Sequence, residues 1–448
     1  MRLKWGTSIV RISIAACLAT AICMGSRVTG SAGSQAVSKL DRERAHAMLE
    51  TAKSDIKRYY YDPAYHGMDV DARFKAADQR IDQATSNGEM FGIIAQALLD
   101  LNDSHTFFSP PRRAFTTQYG WQMQMVGDNC YVSAVKPGSD AEAKGVKPGD
   151  QVLSVSGFRP DRSNLWKLQY LFYSLKPVNG LRLILQSPTG QTRQVDAMAR
   201  VIQGAKVVDL TNVTESSQYF RDLVNEDQLY RNRYYEMGDD ALIWKMPEFD
   251  MDDEGVDGMM DKARKRKALI LDLRGNPGGR VSTLLRLIGD LFDHDVTVGE
   301  PRSRKSEKPM IAKSRGSRAF GGKVLVLVDS NSASSSEMLA RVIQLEKRGT
   351  VIGDRSEGAV MEAQFHFYRG GTDTQIPYGV QVTVADVIMT DGKSLEKVGV
   401  TPDDLLLPSA ADLAAERDPV LAHAAELAGL KIDAEKAGTM FPIQWGNR

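Results

Sequence analysis

From about Val207 to Leu407 the chain repeats one pattern, a short apolar run followed by a turn and an amphipathic stretch. The apolar runs are Ala241 to Met246, Ala268 to Leu273, Lys323 to Val328 and Thr350 to Gly353. Between them lie helical patterns around Asp257 to Lys267, Val281 to Phe292 and Met338 to Glu346. Strands joined through helices run parallel, because the helix returns the chain to the starting edge, so this alternation predicts an α/β layer with a largely parallel sheet. In such layers the functional side chains collect at the C-terminal ends of the strands.

A chain of 448 residues is too long for one simple core, and two or three domains are expected. Residues from about Val37 to Ala97 carry helical spacing, interrupted at Asp62-Pro63 and Ser86-Asn87-Gly88. Between about Trp121 and Val201 the pattern changes to short strands with turn chemistry, and the tail from Leu413 to Leu430 reads as a closing helix. Arg2, Lys4 and Arg11, an apolar stretch from Ile12 to Met24 and then small polar residues read as an export signal over residues 1–33, with an uncleaved anchor as the alternative. The formal net charge of zero supplies no basic field for nucleic acid or anionic lipid, and the Lys/Arg run from Lys262 to Lys267 reads as a solvated helix end. Protein or peptide partners are expected.

Three cysteines are present, two of them (Cys17 and Cys23) within the signal pattern. Cys130 is then alone, so neither a disulfide nor a cysteine-based zinc cluster can be assembled, and it reads as a small core residue. No metal or nucleotide cofactor is indicated.

Two motifs at strand ends carry chemistry. Ser332-Ala333-Ser334-Ser335-Ser336-Glu337 follows the strand Lys323 to Val328 and opens a helix. A hydroxyl there lies beside backbone N–H groups and the positive end of the helix dipole, which suits a nucleophile in acyl transfer; the bland reading is a serine-rich cap. Arg274-Gly275-Asn276-Pro277-Gly278-Gly279 follows the strand Ala268 to Leu273. Its three glycines let backbone amides approach a ligand, but no Gly-Lys-Ser/Thr follows and the dinucleotide spacing is absent. An oxyanion hole beside an exposed serine explains it better than nucleotide binding.

Pro137 through Asp150 closely matches the Pro-Gly-Ser-x-Ala-x-x-Ala-Gly-x-x-x-Gly-Asp pattern of PDZ domains, and the segment 115–203 resembles one. The resemblance implies capture of a peptide as an added strand. It assigns Gly120, Trp121, Gln122 and Met123 to the peptide-binding loop, although they depart from the familiar Gly-Leu-Gly-Phe type; a spacer or a lid are the other uses for such a module.

Leu271 to Gly279, Ser332 to Glu337 and Glu396-Lys397-Val398-Gly399-Val400-Thr401-Pro402-Asp403, taken in this order, resemble the S41 peptidases, the C-terminal processing and tricorn-type serine proteases. The resemblance implies a crotonase-like α/β core over 206–410, a helical region over 36–112, the PDZ-like insertion, and a helical tail over 411–448. It puts the nucleophile at Ser334, with oxyanion-hole amides from Ser335 and from Gly278 or, as the alternative, Gly279; Ser336 is left as a helix cap. In the Ser-Lys branch a lysine follows within a stretch that corresponds here to Gly353 through Val360, and Ala359 stands in its place. Alanine takes no proton and Arg355 does not give one up. Of six histidines, His105 in Asp103-Ser104-His105-Thr106 matches the Ser-His pair of the tricorn-like branch, which implies His105 as base with Ser104 and Glu396 as its orienting groups. The expected protein is a periplasmic or secreted serine peptidase acting on protein or peptide substrates; an inactive PDZ scaffold or a small-molecule carrier are the rival readings.

Overall fold

The computed structural model describes residues 37–113, 115–203, 232–305, 308–371 and 375–445. The export-signal reading over 1–33 lies outside them. Among the described residues no helix is long and apolar enough to cross a membrane.

Three helices open the described chain: α1 (Lys39–Tyr59), α2 (Val70–Gln83) and α3 (Asn87–Leu99). Each begins at a polar side chain that accepts an otherwise unpaired first-turn amide, Ser38 from Asp41, Asp69 from Ala72 and Ser86 from Glu89. Their apolar faces bury Ile56, Phe74, Ile81, Ile94 and Leu98 against Tyr378, Val380 and Val382 of a distant strand. The segment is not wholly helical. Its end, β1 (Phe107–Ser109), pairs antiparallel with residues 379–381, which ties the N-terminal helices to the far end of the sequence.

The next strands are β2 (Phe115–Gln118), β3 (Trp121–Val126), β4 (Asn129–Val135), β5 (Gln151–Val155), β6 (Gly180–Gln186), β7 (Thr192–Met198) and β8 (Arg200–Gln203). Strands β3 to β7 form an antiparallel sheet in sequence order, and β2 pairs with β8. Alternate residues of β3 point inward, Trp121, Met123 and Met125, onto a core that includes Cys130.

Strands β9 (Arg233–Met237), β10 (Ala241–Lys245) and β11 (Ala268–Asp272) then begin the central layer. It continues through β14 (Lys323–Val328), β15 (Gly349–Gly353) and β18 (Asp404–Leu405), in the order β18-β15-β14-β11-β10-β9. Every pairing is parallel except that of β9. β11 is buried along its whole length and β14 beyond Lys323, as near-continuous apolar runs require in a sheet covered on both faces. Helices α4 (Asp253–Ala263), α5 (Val281–Leu291) and α6 (Ser335–Leu345) cover one face; α7 (Pro419–Leu427) and the helix Ala434–Met440 cover the other. A second, antiparallel sheet holds β12 (Val296–Arg302), β13 (Met310–Ala312), β16 (Met361–Gly370) and β17 (Ile376–Met389) together with β1.

Two expectations need correction. The closing helix is broken into Ala410–Ala414 and Pro419–Leu427: Glu416 takes a left-handed backbone (φ 53°), and Pro419, which has no N–H, starts a new helix capped by Asp418. The basic run is only partly a solvated end, since Arg264 turns in to the fully buried Asp290.

Candidate active site

Ser334 lies on the turn between β14 and α6 with φ 55° and ψ −117°, a conformation that a non-glycine residue adopts only under constraint. Several bonds impose it. The Ser334 N–H is shared between the Ala359 carbonyl (2.8 Å) and the Glu337 carboxylate (3.0 Å), while the Ser334 carbonyl accepts from Glu337 and Met338. Glu337 is fully buried and also accepts from the Ser356 hydroxyl (2.6 Å) and from the amides of Gly358 (2.8 Å) and Ala359 (2.9 Å). Burial pushes its carboxyl up to about 7, against the pull of those four donors. The Ser334 side chain itself is partly exposed.

The glycine turn is pressed against this serine. A Cβ on Gly278 (φ 99°) would come within 2.6 Å of the Ser334 Cβ, so only glycine fits. Buried Asn276 clasps the two motifs: its carbonyl accepts from the Ala333 amide and the Ser336 hydroxyl, and its side chain bonds Met246 and the Gly278 N–H (2.8 Å). Ser336 is therefore a clasp between the two loops and not a cap; the N-cap position is Ser334. The Gly278 amide is engaged by Asn276, whereas the amides of Gly279 and Ser335 carry no protein hydrogen bond among the described residues. Gly279 pairs with Phe249 through its neighbours' groups, and its own carbonyl accepts from the Ser335 hydroxyl (3.1 Å), so its N–H shares the side that faces the serine run.

Beneath the turn, Lys245 and Arg274 both reach Asp272 at the end of β11, and Arg274 continues to Asp418 at the start of α7. Burial raises the Asp272 carboxyl, but the two cations outweigh it and hold it far below the ordinary carboxylate range.

A second cluster comes from residues remote in sequence. Ser104 Oγ lies 2.7 Å from His105 Nδ1 and 2.7 Å from Glu396 Oε2, and the Ser104 amide donates to Glu396 Oε1 (2.9 Å). Asp103 fixes the loop by accepting from the His105 and Thr106 amides and from the Thr383 hydroxyl of β17. Because Ser104 has one proton and donates it to the carboxylate, its oxygen accepts from Nδ1–H, which assigns the tautomer and leaves Nε2 with a bare lone pair. Burial depresses the imidazole to about 4, so the ring is neutral at pH 7. Burial raises Glu396, opposed by the bonds from Ser104 and Val360.

The two clusters attach to the two ends of one peptide unit, that between Ala359 and Val360. Ser334 donates to the Ala359 carbonyl, and the next amide, Val360 N–H, donates to Glu396 Oε2 (3.1 Å). Ala359, which stands where a lysine base would be, is thus a backbone bracket between them. Ser334 Oγ and His105 Nε2 do not hydrogen-bond each other in this structure. Gly120 to Met123 lie apart in the antiparallel unit: Trp121 and Met123 are buried, and Gly120 packs on Ser139. Asn276 and Glu337 were not singled out in the sequence. For Glu337 a signal existed, since a carboxylate three residues after a helix-capping serine has capping-box spacing.

Residues 241–405 match the model described as Peptidase family S41. The chain is 26% identical over 350 residues to the tail-specific protease of Haemophilus influenzae, covering 74% of this chain and 47% of that protein. It is 23% identical over 360 residues to the carboxy-terminal processing protease CtpA of Bacillus subtilis, covering 79% and 67%. The chain thus spans about half the length of the first of these relatives. In fold it resembles mature CPAF, with a TM-score of 0.62 at 15% identity over 84% of this chain and 95% of that one. The photosystem II D1 C-terminal processing protease gives a TM-score of 0.50 at 18% identity over 89% and 99%. Over the central layer and its loops, residues 241–405, the chain is thus similar to peptidase family S41.

Proposed function

We propose that the chain is an exported serine endopeptidase that cuts peptide bonds of protein or peptide substrates by Ser-His acyl transfer. The observation that carries this reading is the hydrogen-bonded series Glu396-Ser104-His105, bracketed through Val360 and Ala359 to the strained Ser334. In the proposed reaction His105 Nε2 takes the Ser334 hydroxyl proton as Oγ bonds the substrate carbonyl carbon. The tetrahedral oxyanion is held by the Ser335 amide and by the glycine turn, where the free N–H of Gly279 is better placed to donate than the engaged one of Gly278. The C–N bond then breaks as the imidazolium returns the proton to the leaving amine, and water repeats the sequence on the acyl-enzyme. Ser104 and Glu396 keep the ring in the Nε2-accepting tautomer and stabilise its charge.

Ser334 Oγ and His105 Nε2 are not hydrogen-bonded to each other, and the proposed proton transfer requires this gap to close when substrate binds. The same gap is the one observation that favours an inactive scaffold. In the proposed layout the central layer is a crotonase-like core and residues 115–203 are a PDZ-like module, offering the main chain of β3 to a peptide through Gly120 to Met123. An exported location rests on the charge and hydropathy pattern of residues 1–33. A fluorophosphonate probe tests the chemistry: labelling of the wild type and not of Ser334→Ala supports the peptidase. Absence of labelling in folded wild-type protein leaves the scaffold.

A further inference from the structure

One carboxylate at this site has no task in the mechanism above. Glu357 sits in the loop between β15 and β16, and its backbone is fastened on every side. Its amide donates to the Ser332 carbonyl (3.0 Å), and its neighbours Ser356 and Gly358 both bond Glu337. Two residues on, Ala359 receives the Ser334 amide. The Glu357 side chain is left out of this knot. It is partly exposed and makes neither a hydrogen bond nor an ion pair among the described residues.

The surroundings are anionic on both flanks. Asp329, which acts on it electrostatically, belongs to the serine side and accepts from the amides of Gly275 and Asn331, the Ser332 hydroxyl and Gln124. Glu396, which acts on it likewise, belongs to the histidine side and is occupied by Ser104 and Val360; the two loops join where the Lys397 amide donates to the Gly358 carbonyl. Of the nearby cations, Arg162 pairs with Asp354, Arg355 lies 3.7 Å from Asp128, and Lys397 is exposed and makes no ion pair with Glu357 among the described residues. An unpaired carboxylate on a backbone bonded to both halves of a peptide-cleaving site is complementary to a cationic substrate side chain.

Resting on the peptidase reading, we infer that Glu357 selects substrates carrying lysine or arginine within two residues of the cut bond. Burial, with Asp329 and Glu396 adding to it, pushes the Glu357 carboxyl up to about 7. A bound ammonium or guanidinium favours the ionised form, so the preference weakens as pH falls below about 7, whereas His105, near 4, still works as a base there.

The test uses the full chain on a denatured protein mixture with cut sites mapped by mass spectrometry. Two peptides that differ only in lysine or norleucine at the enriched position then follow. Wild type is expected to favour the lysine peptide by about tenfold in kcat/KM at pH 8, the scale of one charge-assisted contact, and by less at pH 6. Glu357→Gln brings the ratio close to one, and Glu357→Lys shifts it toward a glutamate peptide; melting curves check that both variants fold. A wild-type ratio near one with both peptides cut, or a ratio that Glu357→Gln leaves unchanged, overturns the assignment while the peptidase stands. A chain that cuts neither peptide and takes no fluorophosphonate overturns the peptidase reading and this assignment with it.

Discussion

The serine half and the histidine half of the site are built in opposite ways. Ser334 is held by bonds within one continuous core, from the glycine turn after β11, the turn after β14 and the loop after β15, with buried Glu337 and Asn276 as clasps. His105 is positioned by segments 292 residues apart in sequence, through Ser104 and Glu396, on a loop that reaches the core only because β1 pairs with β17. The first half stores strain in a rigid frame; the second depends on long-range closure.

Substitutions can break or sharpen that contrast. The largest effect is expected for His105→Ala, a loss of about 10⁴-fold in kcat/KM with little change in melting temperature, and the Ser334→Ala/His105→Ala double variant should be no worse than either alone. Additive losses in peptide hydrolysis would mean that the two residues do not act as a unit. Glu337→Ala should act through stability instead, costing about 3 kcal/mol or more because four donors lose their acceptor, read as a fall in the denaturant midpoint. A Glu337→Ala protein as stable as wild type would contradict the rigid-frame description.

Glu396→Gln belongs to the other half. It removes a charge without removing bulk, so it should lower kcat about 10- to 100-fold and leave melting nearly unchanged; equal activity would remove Glu396 from the relay. The smallest effect is in the pH profile. A base whose conjugate acid is depressed to about 4 is deprotonated at pH 7 and gains its proton only as pH falls through that value, so kcat/KM on a substrate without lysine or arginine near the cut should hold to about pH 5 and drop below it. An acid limb centred near 6.5 would show an imidazole that is solvated in the working enzyme.

The layer order was legible because periodicity and turn residues are local: the runs at Ala268 and Lys323 had to be buried parallel strands, and Pro-Gly and Gly-rich turns bounded them. Helix limits were less legible. Ser335–Leu345 starts three residues before the periodic stretch that announced it, because the start is set by Glu337 and the Asn276 clasp, which periodicity does not register. The break at Glu416 was hidden because apolar spacing continues across it.

The sequence by itself determined the α/β class, and its motifs carried the resemblance that named Ser334, Ser104, His105 and Glu396, because motif spacing and hydrophobic period are properties of neighbouring residues. Only the tertiary structure decided that Ser104 links His105 to Glu396, that Ala359 brackets the two halves, that Asn276 occupies the Gly278 amide, and that Glu357 is left unpaired. Each of these depends on where a donor finds its acceptor across tens or hundreds of residues, and burial, which decides whether a polar group must be paired there, exists only once the chain has folded.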